Sequence, residues 1–159
     1  MKKYEFTGET KEIRLLFRTA TLHRIRATVA FGIVKVGDLG GWIEKEENLS
    51  HEGKAWVWGN AEVWGNAKVW GNAEVFSASH VLVIGAIGSR NDFTTFYRDK
   101  DNEITVKCGC FLGKIDRFLE KVTQTHGDSK YALVYRAAVE VAKLQIDLSG
   151  EAPKDADEE

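Results

Sequence analysis

The densest cluster of polar side chains in this chain lies just beyond its repetitive middle section. Its members are an arginine and short side chains that donate or accept hydrogen bonds: Ser89, Arg90, Asn91, Asp92, Thr94 and Thr95. A guanidinium presents a planar fork of donors that suits a phosphate or a carboxylate, and hydroxyl and amide groups add directional hydrogen bonds. The cluster predicts either a site for a small anionic ligand or a turn in which Asp92 pairs with Arg90 and Asn91 caps the backbone.

Aromatic side chains near such a cluster favour a ligand with a flat ring, because nucleobases and nicotinamide-like rings stack on them. The candidates for stacking are Trp58, Trp64, Trp70, Phe93, Phe96 and Tyr97. Basic residues near the N-terminus could either contact a phosphate or form a solvated face; these are Arg14, Arg18, Arg24 and Arg26.

Cysteine spacing and overall charge indicate which classes of protein to set aside. Cys108 and Cys110 lack the further ligands of a structural zinc site or a disulfide framework, so we expect reduced thiols. A net charge of −2 and the lack of a long apolar stretch argue against nucleic-acid binding and a membrane span. The polar N-terminus does not resemble a signal peptide. The sequence therefore predicts a cytoplasmic protein with no catalytic residue, no metal and no cofactor.

A six-residue repeat, AWVWGN-AEVWGN-AKVWGN-AEVFSA, occupies residues 55–78. Each hexad reads as a short strand followed by a Gly-Asn corner, with Ala and Val on one side of the strand. A hexapeptide period predicts a parallel β-helix with three strands per turn. The aliphatic positions of the series, with two extra residues between Leu49 and Val57, are 43, 49, 57, 63, 69, 75, 81 and 87. They make under three coils.

The outward positions of the hexads carry an unusual number of large aromatic side chains. They are Trp42, Trp56, Trp58, Trp64, Trp70 and Phe76. An exposed patch of this kind usually marks an interface, so the sequence predicts either a subunit interface or flanking segments that cover the rings within one chain.

Four segments follow from these patterns. We expect an N-terminal β cap at residues 1–36, the hexapeptide β-helix at 37–89, and a β-hairpin with two helices at 90–148. The last segment is a disordered acidic tail at 149–159. The hairpin strands are FTTFYR and EITVKC; Gly127 should end the first helix, and Asp128 or Ser129 should cap the second, at about 129–147. We expect the second helix to bury Tyr131, Val134, Tyr135, Ala138, Val141 and Ala142.

The Ala and Val positions of the hexads resemble the hexapeptide-repeat, left-handed parallel β-helix family, and the left hand comes from that resemblance. The chain without its tail also resembles a group of small phage and prophage proteins of no assigned chemistry. That match depends on GDLGGWIEKEENLSHEG at 37–53, the WGNAxV hexads, VIGAIGSRNDFTTFY at 83–97 and KCGCFLG at 107–113. The resemblance implies a phage context and a homo-oligomer, most simply a trimer.

Three functions are consistent with these features. The first is a non-enzymatic binding protein that captures a small anionic, nucleotide-like ligand, such as a nucleotide-derived immune signal of the bacterial host. The second is a structural or protein-binding oligomerisation module. The third is an acyltransferase-like enzyme, in which His51 at the bulged corner, or His80, would serve as general base. We expect the first.

Overall fold

The computed structural model describes residues 2–149. In this range ten β-strands are followed by two α-helices. The strands are β1 (Tyr4–Arg14), β2 (Thr19–Ala27), β3 (Leu39–Ile43), β4 (Trp56–Val57), β5 (Glu62–Val63), β6 (Glu74–Val75), β7 (Val81–Ile87), β8 (Asp92–Arg98), β9 (Ile104–Cys108) and β10 (Phe111–Lys114). The helices are α1 (Ile115–His126) and α2 (Lys130–Gln145). The protein is therefore mainly β with two helices, as the sequence predicts. Of the expected acidic tail, residues 150–159 lie outside the described range.

Short parallel pairings connect hexads that are three repeats apart. Val57 of β4 pairs with Val75 of β6, and both side chains are buried in one core. The pair Leu49–Val69 spans three hexads and the two extra residues. Because three hexads return the chain to the same face, aliphatic residues three hexads apart stack on one another. The aliphatic positions that stack in this way are Ile43, Leu49, Val57, Val63, Val69 and Val75, each at most 2% exposed.

The last two positions of the predicted series depart from the stack. Val81 and Ile87 lie in β7, which pairs antiparallel with β8 in a four-stranded sheet of order β10-β9-β8-β7. A tight turn reverses the chain, since the Asn91 amide donates to the Gly88 carbonyl at 3.2 Å. A hairpin closed by so short a turn pairs along most of its strands, whereas one more hexad could add only a two-residue strand. Most strand pairings in the protein are consequently antiparallel.

The N-terminal segment forms a sheet that runs directly into the hexads. β1 and β2 form an antiparallel hairpin, β2 pairs with β3, and β3 pairs parallel with β5. The backbones approach closely at Gly41, where a Cβ atom would lie 2.5 Å from the Ala61 carbonyl oxygen. This contact explains the paired glycines before Trp42, because only a residue without a side chain permits it.

Three of the six outward aromatic side chains are covered within the chain and not left for a subunit interface. Trp42, Trp56 and Trp58 are buried within the chain itself. The Trp56 ring packs 5.3 Å from Phe31 and 6.3 Å from Tyr4, both of which come from the N-terminal segment. Trp64 remains 42% exposed. The N-terminal segment therefore covers Trp42 and Trp56, whereas the Trp58 ring packs 5.7 Å from Phe76 within the hexads.

The C-terminal half packs α1 and α2 on the sheet of β7 to β10. The two strands expected for the hairpin are β8 and β9, and α1 ends at Gly127, whose φ is +57°. Tyr131 and Val141 were expected in the core but are 43% and 48% exposed. The face of α2 that packs on the sheet is rotated from the expected one, and it consists of Ala132, Tyr135, Ala138, Val139 and Ala142.

Val69→Asp should unfold the hexads, because it places a carboxylate at a fully buried position in the apolar core. We expect a loss of at least about 3 kcal/mol in the free energy of unfolding, measured by urea titration with circular dichroism. Val36→Asp, at an exposed position, is the matched control and should change little. An unchanged unfolding midpoint for Val69→Asp would mean that the inward assignment of this row is wrong.

Lys3 is a buried lysine that forms no ion pair with any of the described residues. Its Nζ donates to the Ala55 carbonyl at 2.6 Å and lies 4.8 Å from the centre of the Phe31 ring. Burial lowers the pKa of Lys3 from 10.5 to about 8. Between these two pH values the unfolded chain binds the proton and the folded chain does not. The free energy of unfolding should therefore rise with pH across this window.

Lys3→Met should remove this pH dependence. We expect the stability of the natural protein relative to Lys3→Met to increase by about 2 kcal/mol between pH 8 and pH 10, since the neutral amine is no longer penalised by burial. Urea titrations at several pH values measure this difference. Lys54→Met, at an exposed lysine, should show no such trend. A flat difference for Lys3→Met would show that the amine keeps its ordinary pKa in the folded state.

Candidate functional site

A cavity of about 220 Å³ lies where the C-terminal sheet meets the two helices. The turn between β7 and β8, the turn between β9 and β10, and the facing sides of α1 and α2 form its walls. The residues that line it are Ser89, Arg90, Asp92, Thr94, Cys108, Gly109, Cys110, Phe111, Phe118, Lys121, Val122, Thr125, His126 and Tyr135. It is formed by one chain.

Four of the six polar residues expected at a ligand site line this cavity: Ser89, Arg90, Asp92 and Thr94. Asn91 instead adopts a positive φ of 51° inside the turn, as expected of a residue that shapes the backbone. Thr95 faces the hexads, where its hydroxyl accepts the Lys68 backbone N–H at 3.0 Å. The alternation of side chains along β8 sends Thr94 to the cavity and Thr95 to the opposite face.

The expected pairing of Asp92 with Arg90 is missing from the ion pairs of residues 2–149. The Asp92 carboxylate accepts the neighbouring Phe93 backbone N–H at 2.7 Å. Arg90 is exposed at the rim of the cavity, near the Gly109 backbone. Its guanidinium is thus available to a bound anion.

The aromatics expected to stack on a ligand are distributed elsewhere. Trp58 and Tyr97 are buried in the core of the hexads, and the Trp70 ring lies 4.6 Å below the Lys107 ammonium. Trp64 and Phe93 line a second, largely apolar cavity of about 580 Å³ beside the β1–β2 turn. Phe96 belongs to the core between sheet and helices.

Three other aromatics form the wall of the first cavity. The Phe118 ring packs edge-on against Tyr135 at 5.6 Å and lies 5.4 Å from Phe111. Phe118 and Tyr135 have the spacing of ordinary core residues on amphipathic helices, and Phe111 follows the second cysteine. Sequence reasoning missed them because no local pattern shows that three separate elements converge.

Tyr135 lies at one end of this wall, next to Phe118, and remains a hydrogen-bond donor at neutral pH. Burial, together with nearby Cys108, raises the pKa of Tyr135 to about 12. Its hydroxyl lies against the turn, such that a Cβ atom on Gly88 would be 1.8 Å away. On the adjacent strands the Thr94 hydroxyl donates to the Cys108 Sγ at 3.4 Å. The hydroxyls of Tyr135 and Thr94 therefore lie near the aromatic wall of the cavity.

Two cations line the rim of the cavity. Lys121 comes from α1 and Arg90 from the β7–β8 turn, and the His126 ring lies beside them at the end of α1. In the described range neither Arg90 nor Lys121 has an ion-pair partner. Asp92 is the one carboxylate in the lining. The cavity therefore combines an apolar aromatic wall with a cationic rim, an arrangement that can hold a flat ring with an anionic substituent.

The two histidines considered for catalysis lie in structural positions. The His51 ring stacks on Tyr4 at 4.1 Å, its Nδ1 accepts the Lys3 backbone N–H, and burial lowers its pKa. The Nδ1 of His80 accepts the Phe76 backbone N–H at 3.1 Å. Neither imidazole lines the two cavities described above.

The chain matches no protein-family model and no curated protein sequence. In residues 2–149 no helix is long and apolar enough to cross a membrane, and no group of three or more candidate ligands converges on a possible metal position. The chemistry of the site must therefore be argued from its own geometry.

Gly88→Ala should destabilise the protein by about 2 kcal/mol or more, because the new methyl group collides with Tyr135 and the φ of +79° disfavours alanine. Gly59→Ala is the matched control: its φ is +55°, but the added methyl group meets nothing within 4 Å. The control should lose only the backbone part. Chemical denaturation of both variants measures the difference, and equal losses would contradict the described contact.

Proposed function

We propose that this protein binds a small anionic ligand with a planar ring in the cavity between the β7–β8 turn and the helices. The observation that carries the proposal is the pair of cations, Arg90 and Lys121, that lack an ion-pair partner in the described chain and border an aromatic wall. Two cations at the rim of an apolar cavity are stabilised when an anion binds there.

The volume of the cavity limits the size of the ligand. At about 220 Å³ it accepts a group of about the size of one nucleoside, and a longer molecule would have to extend past Arg90 into solvent. The ring would pack against Phe111 and Tyr135, and the anionic group would lie at the rim. A nucleotide or a nucleotide-derived molecule meets both requirements.

The wider role that we propose is sequestration of the ligand without chemical conversion. The resemblance to small phage and prophage proteins supports an intracellular setting in which a nucleotide-derived immune signal of the host is captured. We also propose that the hexads wind as a left-handed parallel β-helix and that the protein forms a homo-oligomer, a trimer in the simplest case. The three-hexad spacing of the parallel pairs supports a coil of three strands per turn. The left hand is supported by the resemblance to the hexapeptide-repeat family.

Arg90→Ala should weaken ligand binding about 10- to 100-fold, because a charge-assisted hydrogen bond to the anion is lost. Arg14→Ala, at an exposed arginine of β1, is the matched control and should bind normally. Native mass spectrometry with adenosine monophosphate, adenine dinucleotides and cyclic dinucleotides identifies the ligand class, and calorimetry measures its affinity. Full-strength binding by Arg90→Ala would mean that the site is elsewhere.

A second candidate function, a protein-binding module, is favoured by one specific observation. The tip of the β1–β2 hairpin exposes Leu16 and Phe17 at 88% and 94%, beside the apolar cavity of about 580 Å³ that Trp64 and Phe93 also line. Side chains of this size are seldom so exposed unless they meet a partner. A protein that takes up none of the compounds above should be tested for partners through this surface.

A further inference from the structure

Helix α2 is apolar on two opposite faces, and only one of them is covered within the chain. The covered face packs on the sheet and on α1 through Tyr135, Val139 and Ala142. The other face exposes Leu133, Val141 and Leu144 at 60%, 48% and 89% of their surface. Large aliphatic side chains clustered on an exposed helix face usually mark an interaction surface, so the second face is a candidate for a partner.

The exposed residues form one continuous stripe. With Ala137, which is also exposed, they occupy positions i, i+4, i+8 and i+11, and at about 100° per residue these positions fall on one side of the helix, opposite the covered face. At 1.5 Å per residue the stripe is about 16 Å long. We name it the α2 stripe. Its length and width suit one further helix.

We propose that the α2 stripe packs against the α2 stripe of a second copy of this chain, with the two helices antiparallel. A twofold axis at the middle of the stripe brings Leu133 of one copy level with Leu144 of the other. The same axis brings Glu140, which lies on one flank of the stripe, level with the turn that carries Arg136 of the second copy. Opposite charges then meet twice across the interface.

The charges argue for a second copy over an unrelated partner. The Glu140 side chain is 71% exposed and lies 3.5 Å from the Lys143 ammonium of the same helix. Arg136, one helical turn away on the same flank, is 35% exposed and lies 3.9 Å from the Asp128 carboxylate. Surface ion pairs of this kind contribute little and can exchange for pairs across an interface. A flank that carries a charge and its complement one turn apart is self-complementary only in the antiparallel arrangement. The same flank offers no single sign of charge to a foreign helix.

The extent of the stripe sets the expected strength. One helix face buries less than the roughly 800 Å² per partner of a standard stable interface, so we expect a dimer with a dissociation constant in the micromolar range or weaker. The stripe points away from the cavity that Tyr135 lines. Dimerisation and ligand binding can therefore be tested independently of each other.

Sedimentation equilibrium over a wide range of protein concentration tests the proposal. We expect the smallest unit, either a monomer or the proposed trimer, to pair as concentration rises, and Leu144→Glu to weaken that pairing at least tenfold. Ile33→Glu, at an aliphatic residue that is 76% exposed and lies outside both proposed surfaces, is the matched control and should associate normally. A chain that stays monomeric, or a Leu144→Glu variant that associates normally, would overturn the proposal.

A charge exchange tests the antiparallel register. Glu140→Arg should weaken the dimer by placing like charges opposite each other, and the double variant Arg136→Glu with Glu140→Arg should restore it. Circular dichroism checks that the helices persist, because Arg136 also donates to the Gly127 carbonyl at 2.9 Å. A folded double variant that fails to recover dimerisation would rule out this arrangement. An assembly of higher order that survives Leu144→Glu would show that copies meet elsewhere.

Discussion

Everything in this structure depends on burying the narrow row of alanine and valine side chains inside the hexads. The row is nearly completely buried, yet it is short, and its ends expose unpaired backbone groups unless other segments cover them. The N-terminal sheet joins one side of it through the β3–β5 pairing. The C-terminal sheet contacts the hexads at the turn after β8, where the Lys100 backbone N–H donates to the Asn72 carbonyl at 3.0 Å. Both flanks are therefore required for the core to exist.

Strand β8 connects this core to the candidate site. Tyr97 belongs to the core of the hexads, whereas its neighbour Phe96 belongs to the core beneath the helices. The same alternation separates Thr95, which holds the Lys68 backbone, from Thr94, which lines the cavity. A single strand thus anchors the scaffold with one face and furnishes the site with the other. The strand that supports the site is therefore packed against a core on both of its faces.

Much of the local structure could be predicted from the chain. The positions of both helices, the strands β8 and β9 and the inward row of the hexads follow from periodicity and from turn residues such as Gly127. The polar cluster at 89–94 was also recognisable. Val81 and Ile87 were misplaced because their spacing continues the hexad series, while the hairpin formed with β8 supplies more hydrogen bonds than another short strand would. Tyr131 and Val141 were misplaced because α2 is apolar on both faces, so its pattern does not show which face turns inward.

The sequence by itself determined the repeating unit, the spacing that stacks it and the polar cluster that contains Arg90, because each of these depends on the local order of side chains. Only the tertiary structure decided which rings are covered and where the cavity forms. Trp56 is buried because Tyr4 and Phe31 fold over it from far along the chain. The wall of Phe111, Phe118 and Tyr135 exists because a turn and two helices converge on one end of a sheet. Contacts between distant segments leave no periodic signal, so they become visible only once the chain is folded.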